Sequence, residues 1–180
     1  MPRFDFLCHK YGVKSKESLS HFGQIERNAA SFLRSIEGTN TSVIITADHG
    51  LIDVPWRKII DISKHPKLKE TLTLPLCGEP RAAYCYVHPL KVKQFEGYMR
   101  KHFTKKCTVH KSEDLIKNNY FGLFKPNKNL FDRVGDYVII MKDNYAIRDR
   151  ILGEKEEKHI GRHGGISKEE MYVPLIFAKK

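Results

Sequence analysis

A short run, Thr41-Ser42-Val43-Ile44-Ile45-Thr46-Ala47, is β-branched and nearly continuous in apolarity, and it leads directly into Asp48-His49-Gly50. A strand with no polar face predicts burial on both sides, hence a parallel sheet covered by helices. In open α/β sheets the carboxyl ends of the strands form the edge where ligands bind. The expected fold class is therefore α/β: part of a mostly parallel sheet covered by helices, with a polar tripeptide at the functional edge.

The flanking sequence supports that class. Leu19, Phe22, Ala29, Phe32, Leu33 and Ile36 recur at helical spacing among Lys, Glu, Gln and Arg, which predicts an amphipathic helix over about 15–36. Gly38 and Asn40 end it. Further on, residues 81–87 and 136–141 read as strands, 90–103 as a helix with Val92, Phe95, Met99 and Phe103 on one face, 107–109 as a short strand and 112–116 as a short helix. Residues 120–128, rich in Gly, Asn, Pro and Lys, read as a loop. This set suggests a small inserted α+β subdomain. Near the end, Ser167-Lys168-Glu169-Glu170 resembles a short capping box before a final strand at 172–177. The expected organisation is a metal-site part of the α/β core over 1–54, an inserted α+β subdomain over 55–150, and a return to the core over 151–180.

Composition narrows the function classes. A hydrophobic fraction of 41% and a charged fraction of 29% fit a globular chain rather than a disordered one. No apolar run approaches the roughly 18 residues of a membrane span. Met1-Pro2-Arg3-Phe4-Asp5 carries no apolar signal stretch, so a chain complete at this end would be cytoplasmic; one lacking its true start would void that inference. The four cysteines, Cys8, Cys77, Cys85 and Cys107, form no CxxC pair; Cys77 and Cys85 could pair in principle, but reduced, partly buried thiols are the favoured reading. The net charge of +11 favours anionic partners in general without choosing among them.

Five residues offer chemistry together: Asp5, His9, Asp48, His49 and His163. Carboxylate and neutral imidazole suit zinc, and also manganese or iron. Asp5 and His9, four apart, face the same way on a helical turn. Asp48 and His49 lie just past a strand end, where Gly50 lets the backbone bend so that both reach one cleft. His163 sits between Arg162 and Gly164-Gly165, which permit close backbone approach to an ion or phosphate. Each fragment alone has an ordinary explanation in turn or surface chemistry; their joint occurrence in this order is the stronger signal.

The sequence resembles the type I phosphodiesterase and nucleotide pyrophosphatase branch of the alkaline phosphatase superfamily. The resemblance rests on Asp5-Phe6-Leu7-Cys8-His9, Val43-Ile44-Ile45-Thr46-Ala47-Asp48-His49-Gly50, Gly78-Glu79-Pro80-Arg81, Arg133-Val134-Gly135-Asp136 and Gly161-Arg162-His163-Gly164-Gly165. It implies two divalent metal ions, zinc first and manganese as the alternative. Asp5, His9 and His163 would hold one ion; Asp48 and His49 would belong to the second. In the family that second site is completed by an Asp and by a nucleophilic Thr or Ser from sequence upstream of Asp5, so here it is incomplete and no catalytic nucleophile is assigned. Arg162 is the candidate substrate contact; Arg81 and Arg133 read as structural.

The leading expectation is a carboxyl-terminal fragment of a metal-dependent phosphodiesterase or nucleotide pyrophosphatase, acting on phosphate esters or nucleotides and inactive alone. A separate chain could carry the missing half. The alternative is a non-catalytic basic remnant that binds phosphate or nucleic acid, with Lys91, Lys93, Arg100, Lys101, Lys105 and Lys106 clustered around one helix and its end. No recognised nucleic-acid-binding motif accompanies that cluster, which argues against nucleic acid.

Overall fold

The computed structural model describes residues 2–150, 153 and 158–180. In chain order the elements are α1 (Pro2–Tyr11), α2 (Lys16–Ser35), β1 (Ser42–Thr46), β2 (Ile52–Asp53), β3 (Ile59–Asp61), α3 (Pro66–Lys69), β4 (Cys77–Glu79), β5 (Ala82–Cys85), α4 (Val92–Phe103), β6 (Cys107–Lys111), α5 (Ser112–Lys117), α6 (Leu130–Arg133), β7 (Tyr137–Met141), β8 (Ala146–Arg148), β9 (Gly161–Arg162), α7 (Lys168–Met171) and β10 (Leu175–Lys179). They fall into two compact units: the described residues of 1–53, 157–163 and 168–180, and those of 54–156 and 164–167. The expected return to the core from residue 151 begins among positions that lie outside the described residues.

In the first unit, α2 starts where the Ser15 side chain accepts the Ser18 N–H at 3.1 Å, satisfying a donor that the helix leaves open. The buried Ser18 hydroxyl in turn donates to the Gly12 carbonyl at 2.8 Å, tying the end of α1 to the first turn of α2. Phe4 of α1 packs on Phe22 of α2 with ring centroids 5.8 Å apart. The strand β1 pairs antiparallel with β10, with Ile44 opposite Phe177, and β2 pairs antiparallel with β9.

The second unit is built around a four-stranded antiparallel sheet in the order β4-β5-β7-β6. All five residues of β7 are buried. One of its faces meets Phe95, Met99 and Phe103 of α4 together with Cys85; the other meets Leu115 of α5. Phe95 is fully buried against Tyr137, ring centroids 5.1 Å apart. A separate parallel pair, β3 with β8, places Asp61 against Arg148, whose guanidinium reaches the carboxylate at 2.9 Å.

The mixed α/β composition holds, but the mostly parallel sheet does not describe these residues: β3–β8 is the parallel pair among them, and the other ladders are antiparallel. Nor is β1 buried on both faces, since it alternates between half-buried and exposed and leaves Ile44 65% exposed. A β-branched run reports that a strand is apolar; it does not encode the direction of the neighbour or guarantee two covered faces. Arg81 is fully buried and donates to the Tyr145 carbonyl, a structural role. Asp136, rather than serving Arg133, accepts the Val87 N–H at 2.8 Å. All four cysteines are free thiols, as expected, with Cys8, Cys85 and Cys107 buried and Cys77 exposed. Among the described residues no helix is long and apolar enough to cross a membrane.

Candidate metal centre

Helix α1 sets Asp5 and His9 one turn apart, with His9 Nε2 3.3 Å from Asp5 Oδ1. The far side of the imidazole is anchored: His9 Nδ1 lies 2.7 Å from the Gly161 carbonyl oxygen in β9. A carbonyl oxygen only accepts, so Nδ1 carries a ring proton and Nε2 is the nitrogen turned toward the carboxylate. Asp5 Oδ1 is buried and makes no hydrogen bond. Two acceptors held this close require positive charge between or beside them, either a second ring proton or a metal ion.

His49, just beyond β1, repeats the arrangement. Its Nδ1 is 3.0 Å from the Gly50 carbonyl oxygen, leaving Nε2 as the outward ligand nitrogen. Orientation of a ligating imidazole through its other nitrogen is the usual second contact of metal-binding histidines. His163, immediately after β9, stacks on His49 with ring centroids 4.0 Å apart and lies 5.2 Å from the His9 ring. Ligand atoms of Asp5, His49 and His163 all fall within 4.8 Å of one another. A buried carboxylate oxygen without a hydrogen bond and imidazoles oriented through Nδ1 fit a divalent ion of the zinc class.

All five expected residues lie in the first unit. Asp5, His49 and His163 form the close group, His9 joins it through Asp5 and His163, and Asp48 lies beside His49. The Asp48 side chain is 91% exposed, with its carboxylate 3.9 Å from His49 Nε2. Arg162 lies in β9 opposite Ile52 and is half-buried.

Local backbone packing explains why the glycines are where they are. Gly161 has no room for a side chain: a Cβ there would come 2.5 Å from the Cys8 carbonyl oxygen. This contact brings β9 against α1 and puts the Gly161 carbonyl within reach of His9. Gly50 permits a close contact: a Cβ would meet the Glu169 carbonyl oxygen at 2.0 Å, while its N–H donates to the Glu170 carbonyl at 2.8 Å. Asp53 accepts the Val13 N–H at 2.8 Å and holds the chain as it leaves α1.

Two residues beside the cluster are not signalled by motif. His159 has its ring 4.7 Å from that of His9. The Ile160 N–H donates to the His9 carbonyl at 2.7 Å and brings that segment in, a tertiary contact with no sequence signature. Cys8, between the two α1 candidates in sequence, is buried away from them; burial raises its thiol pKa, only partly offset by a hydrogen bond with Ser18, so it stays a neutral thiol.

The geometry can be set beside known proteins. The sequence profile described as type I phosphodiesterase / nucleotide pyrophosphatase matches residues 1–166. No curated protein sequence matches the chain. Among solved structures, murine ectonucleotide pyrophosphatase/phosphodiesterase 5 is similar with a TM-score of 0.72 and 18% identity, over 95% of this chain and 44% of that one. An inactive variant of that murine protein in complex with AMP is similar with a TM-score of 0.70 and 18% identity, over 95% and 44% of the two chains. Phosphonoacetate hydrolase from Sinorhizobium meliloti 1021, in complex with phosphonoformate, gives a TM-score of 0.66 and 21% identity, over 96% of this chain and 43% of that one. The chain therefore spans less than half the length of these solved proteins. Since the family profile covers all but the last 14 of the 180 residues (180 − 166), this chain belongs to the type I phosphodiesterase/nucleotide pyrophosphatase family.

Proposed function

We propose that residues 1–180 carry the ligand-rich part of a two-metal phosphodiesterase or nucleotide pyrophosphatase centre, one site and a half, and hydrolyse little by themselves. The observation that carries this reading is the approach of His9 Nε2 to a buried Asp5 oxygen that makes no hydrogen bond, beside His49 and His163. Asp5, His9 and His163 would hold one ion, zinc first and manganese as the alternative; Asp48 and His49 would contribute to the second. When bound, such ions polarise phosphoryl oxygens and lower the pKa of a coordinated water or hydroxyl. The protein's own part is orientation: the Gly161 and Gly50 carbonyls fix which imidazole nitrogen faces the site. Arg162, adjacent to His163, would meet the phosphoryl oxygens of a phosphate ester or nucleotide. The side chains of the cluster are carboxylates and imidazoles, and none offers the hydroxyl that a covalent phosphoryl intermediate needs. That hydroxyl, with the carboxylate completing the second site, would come from sequence upstream of Asp5 or from a separate chain.

Calorimetric zinc titration together with a chromogenic phosphodiester assay tests this. Zinc binding that weakens by about tenfold or more in Asp5→Asn and in His163→Ala is expected, with negligible turnover in zinc or manganese. Zinc affinity unchanged by both substitutions would remove the metal assignment. Robust turnover abolished by His163→Ala would retain the metal but overturn the missing-nucleophile argument.

A further inference from the structure

In the second unit, β6 is an edge strand: among the described residues β7 is the strand that pairs with it. The ladder fixes which backbone groups face outward. The Lys142 N–H donates to the Lys106 carbonyl at 2.8 Å, and the Ser112 N–H donates to the Asp136 carbonyl at 3.0 Å. Both bonds lie on the register that sets Thr108 opposite Ile140 and His110 opposite Val138. Antiparallel pairs alternate between bonded and non-bonded positions, so Thr108 and His110 direct their N–H and C=O groups to β7. Cys107, Val109 and Lys111 direct theirs away from the sheet.

That edge forms the wall of a cavity of about 670 Å³. All five residues of β6 line it, which a single pleated face of alternating side chains would not do. The facing wall is one side of α4, with Glu96, Met99 and Arg100, followed by Thr104. A strand edge opposite a helix, separated by a groove, is the arrangement used for peptide recognition by strand addition, in which main-chain bonds give affinity and side-chain pockets give selectivity. At about 3.3 Å per residue, the five residues of β6 match an extended peptide of similar length.

The groove is electrostatically polar. Arg100 and Lys142 lie toward the Cys107 end; Lys142 Nζ also donates to the Thr104 carbonyl at 2.9 Å, which fixes the ammonium there. At the opposite end Lys111 is accompanied by Asp114 and by Glu96, whose carboxylate accepts the Tyr137 hydroxyl at 2.7 Å. Positive charge is therefore concentrated where an antiparallel peptide would place its carboxyl-terminal end. Val109, half-buried, offers apolar contact between the two ends.

We propose that the groove between α4 and the outer edge of β6 binds an extended peptide of about five residues, antiparallel to β6, with acidic side chains toward its carboxyl end. The inference is independent of the metal centre.

Fluorescence anisotropy of the full chain with fluorescein-labelled Thr-Val-Thr-Leu-Glu-Glu tests it. Saturable binding is expected, weakened about tenfold or more in Arg100→Glu and by N-methylation of alternate peptide amides. Val109→Pro removes one outward N–H without touching a bond to β7, as proline is tolerated on edge strands, and should weaken binding similarly. The N-methylated peptide leaves the protein unaltered, so it decides the matter even if a variant folds poorly. No saturable binding, equal affinity for the N-methylated peptide, or equal displacement of the probe by inorganic phosphate would each overturn the proposal; the last would mark a simple anion site.

Discussion

Replacing Gly161 by alanine tests the contact on which the orientation of His9 depends. The added Cβ would lie 2.5 Å from the Cys8 carbonyl oxygen and 2.9 Å from its carbon. Both are backbone atoms of α1, so no side chain can swing aside; β9 and α1 must separate. Overpacking of this kind costs about 1–3 kcal/mol. In a chain of 180 residues each kcal/mol shifts Tm by about 2–4 °C, so a fall of roughly 2–12 °C is expected. The same separation stretches the 2.7 Å contact between His9 Nδ1 and the Gly161 carbonyl. Loss of such an orienting contact typically costs 10–100-fold in metal affinity, or about 1.4–2.7 kcal/mol, a size compatible with the packing cost. The assays are thermal unfolding without metal and zinc affinity by competition with a chromophoric chelator. Gly97→Ala is the control: its Cβ would meet nothing within 4 Å, and alanine in the interior of α4 should stabilise by about 1 kcal/mol. A Gly161→Ala protein with unaltered Tm and zinc affinity would refute the argument that this close approach positions the imidazole.

Two further outcomes follow from buried titrating groups. Burial, with His102 and Lys106 nearby, lowers the His65 pKa, while its Nδ1 lies 2.9 Å from the Tyr98 hydroxyl. The unfolded chain then binds a proton near pH 6.5 that the folded chain resists, so stability contributed by His65 is present above that pH and lost as pH falls below it. The urea midpoint should drop between pH 7 and 5, and His65→Asn should lessen the drop; an identical drop in the variant would exclude His65 as its source. Burial raises the Cys8 and Cys85 thiols and pushes Cys107 up to about 11, whereas Cys77 is exposed. Ellman's reagent should therefore find a single fast thiol, lost in Cys77→Ser, with the others reacting only on unfolding; several fast thiols in the native protein would contradict the burial described.

Much of the local structure is legible because local signals suffice. The apolar spacing of Leu19, Phe22, Phe32 and their neighbours, with Ser15 ahead, marks α2 to within a residue at each end. The same spacing does not reveal what lies against the helix: Leu19, Phe22 and Phe32 are each more than half exposed. The three-residue strands β3 and β8 escape notice because each is too short for a periodic pattern, and their pairing joins Ile59 to Ala146 across most of the second unit. At the site, the four-residue interval between Asp5 and His9 is a local signal and the helix realises it. The approach of His49 to Asp5 and His163, and that of His159 to His9, depend on tertiary contacts that no spacing within either segment encodes. His65 reads as a surface residue for the same reason, yet its ring packs edge-on against Phe103, 4.9 Å between centroids.

The two-residue ladder between β2 and β9, Ile52 with Arg162 and Asp53 with Gly161, joins positions separated by more than a hundred residues of chain. The entropy of closing such a loop rises only logarithmically, with each doubling of length costing about 0.6 kcal/mol. Lengthening or shortening the intervening chain therefore changes the entropy of closing this small seam only slightly. The length of chain between these partners is therefore a weak constraint on the seam that sets Gly161 beside Asp53.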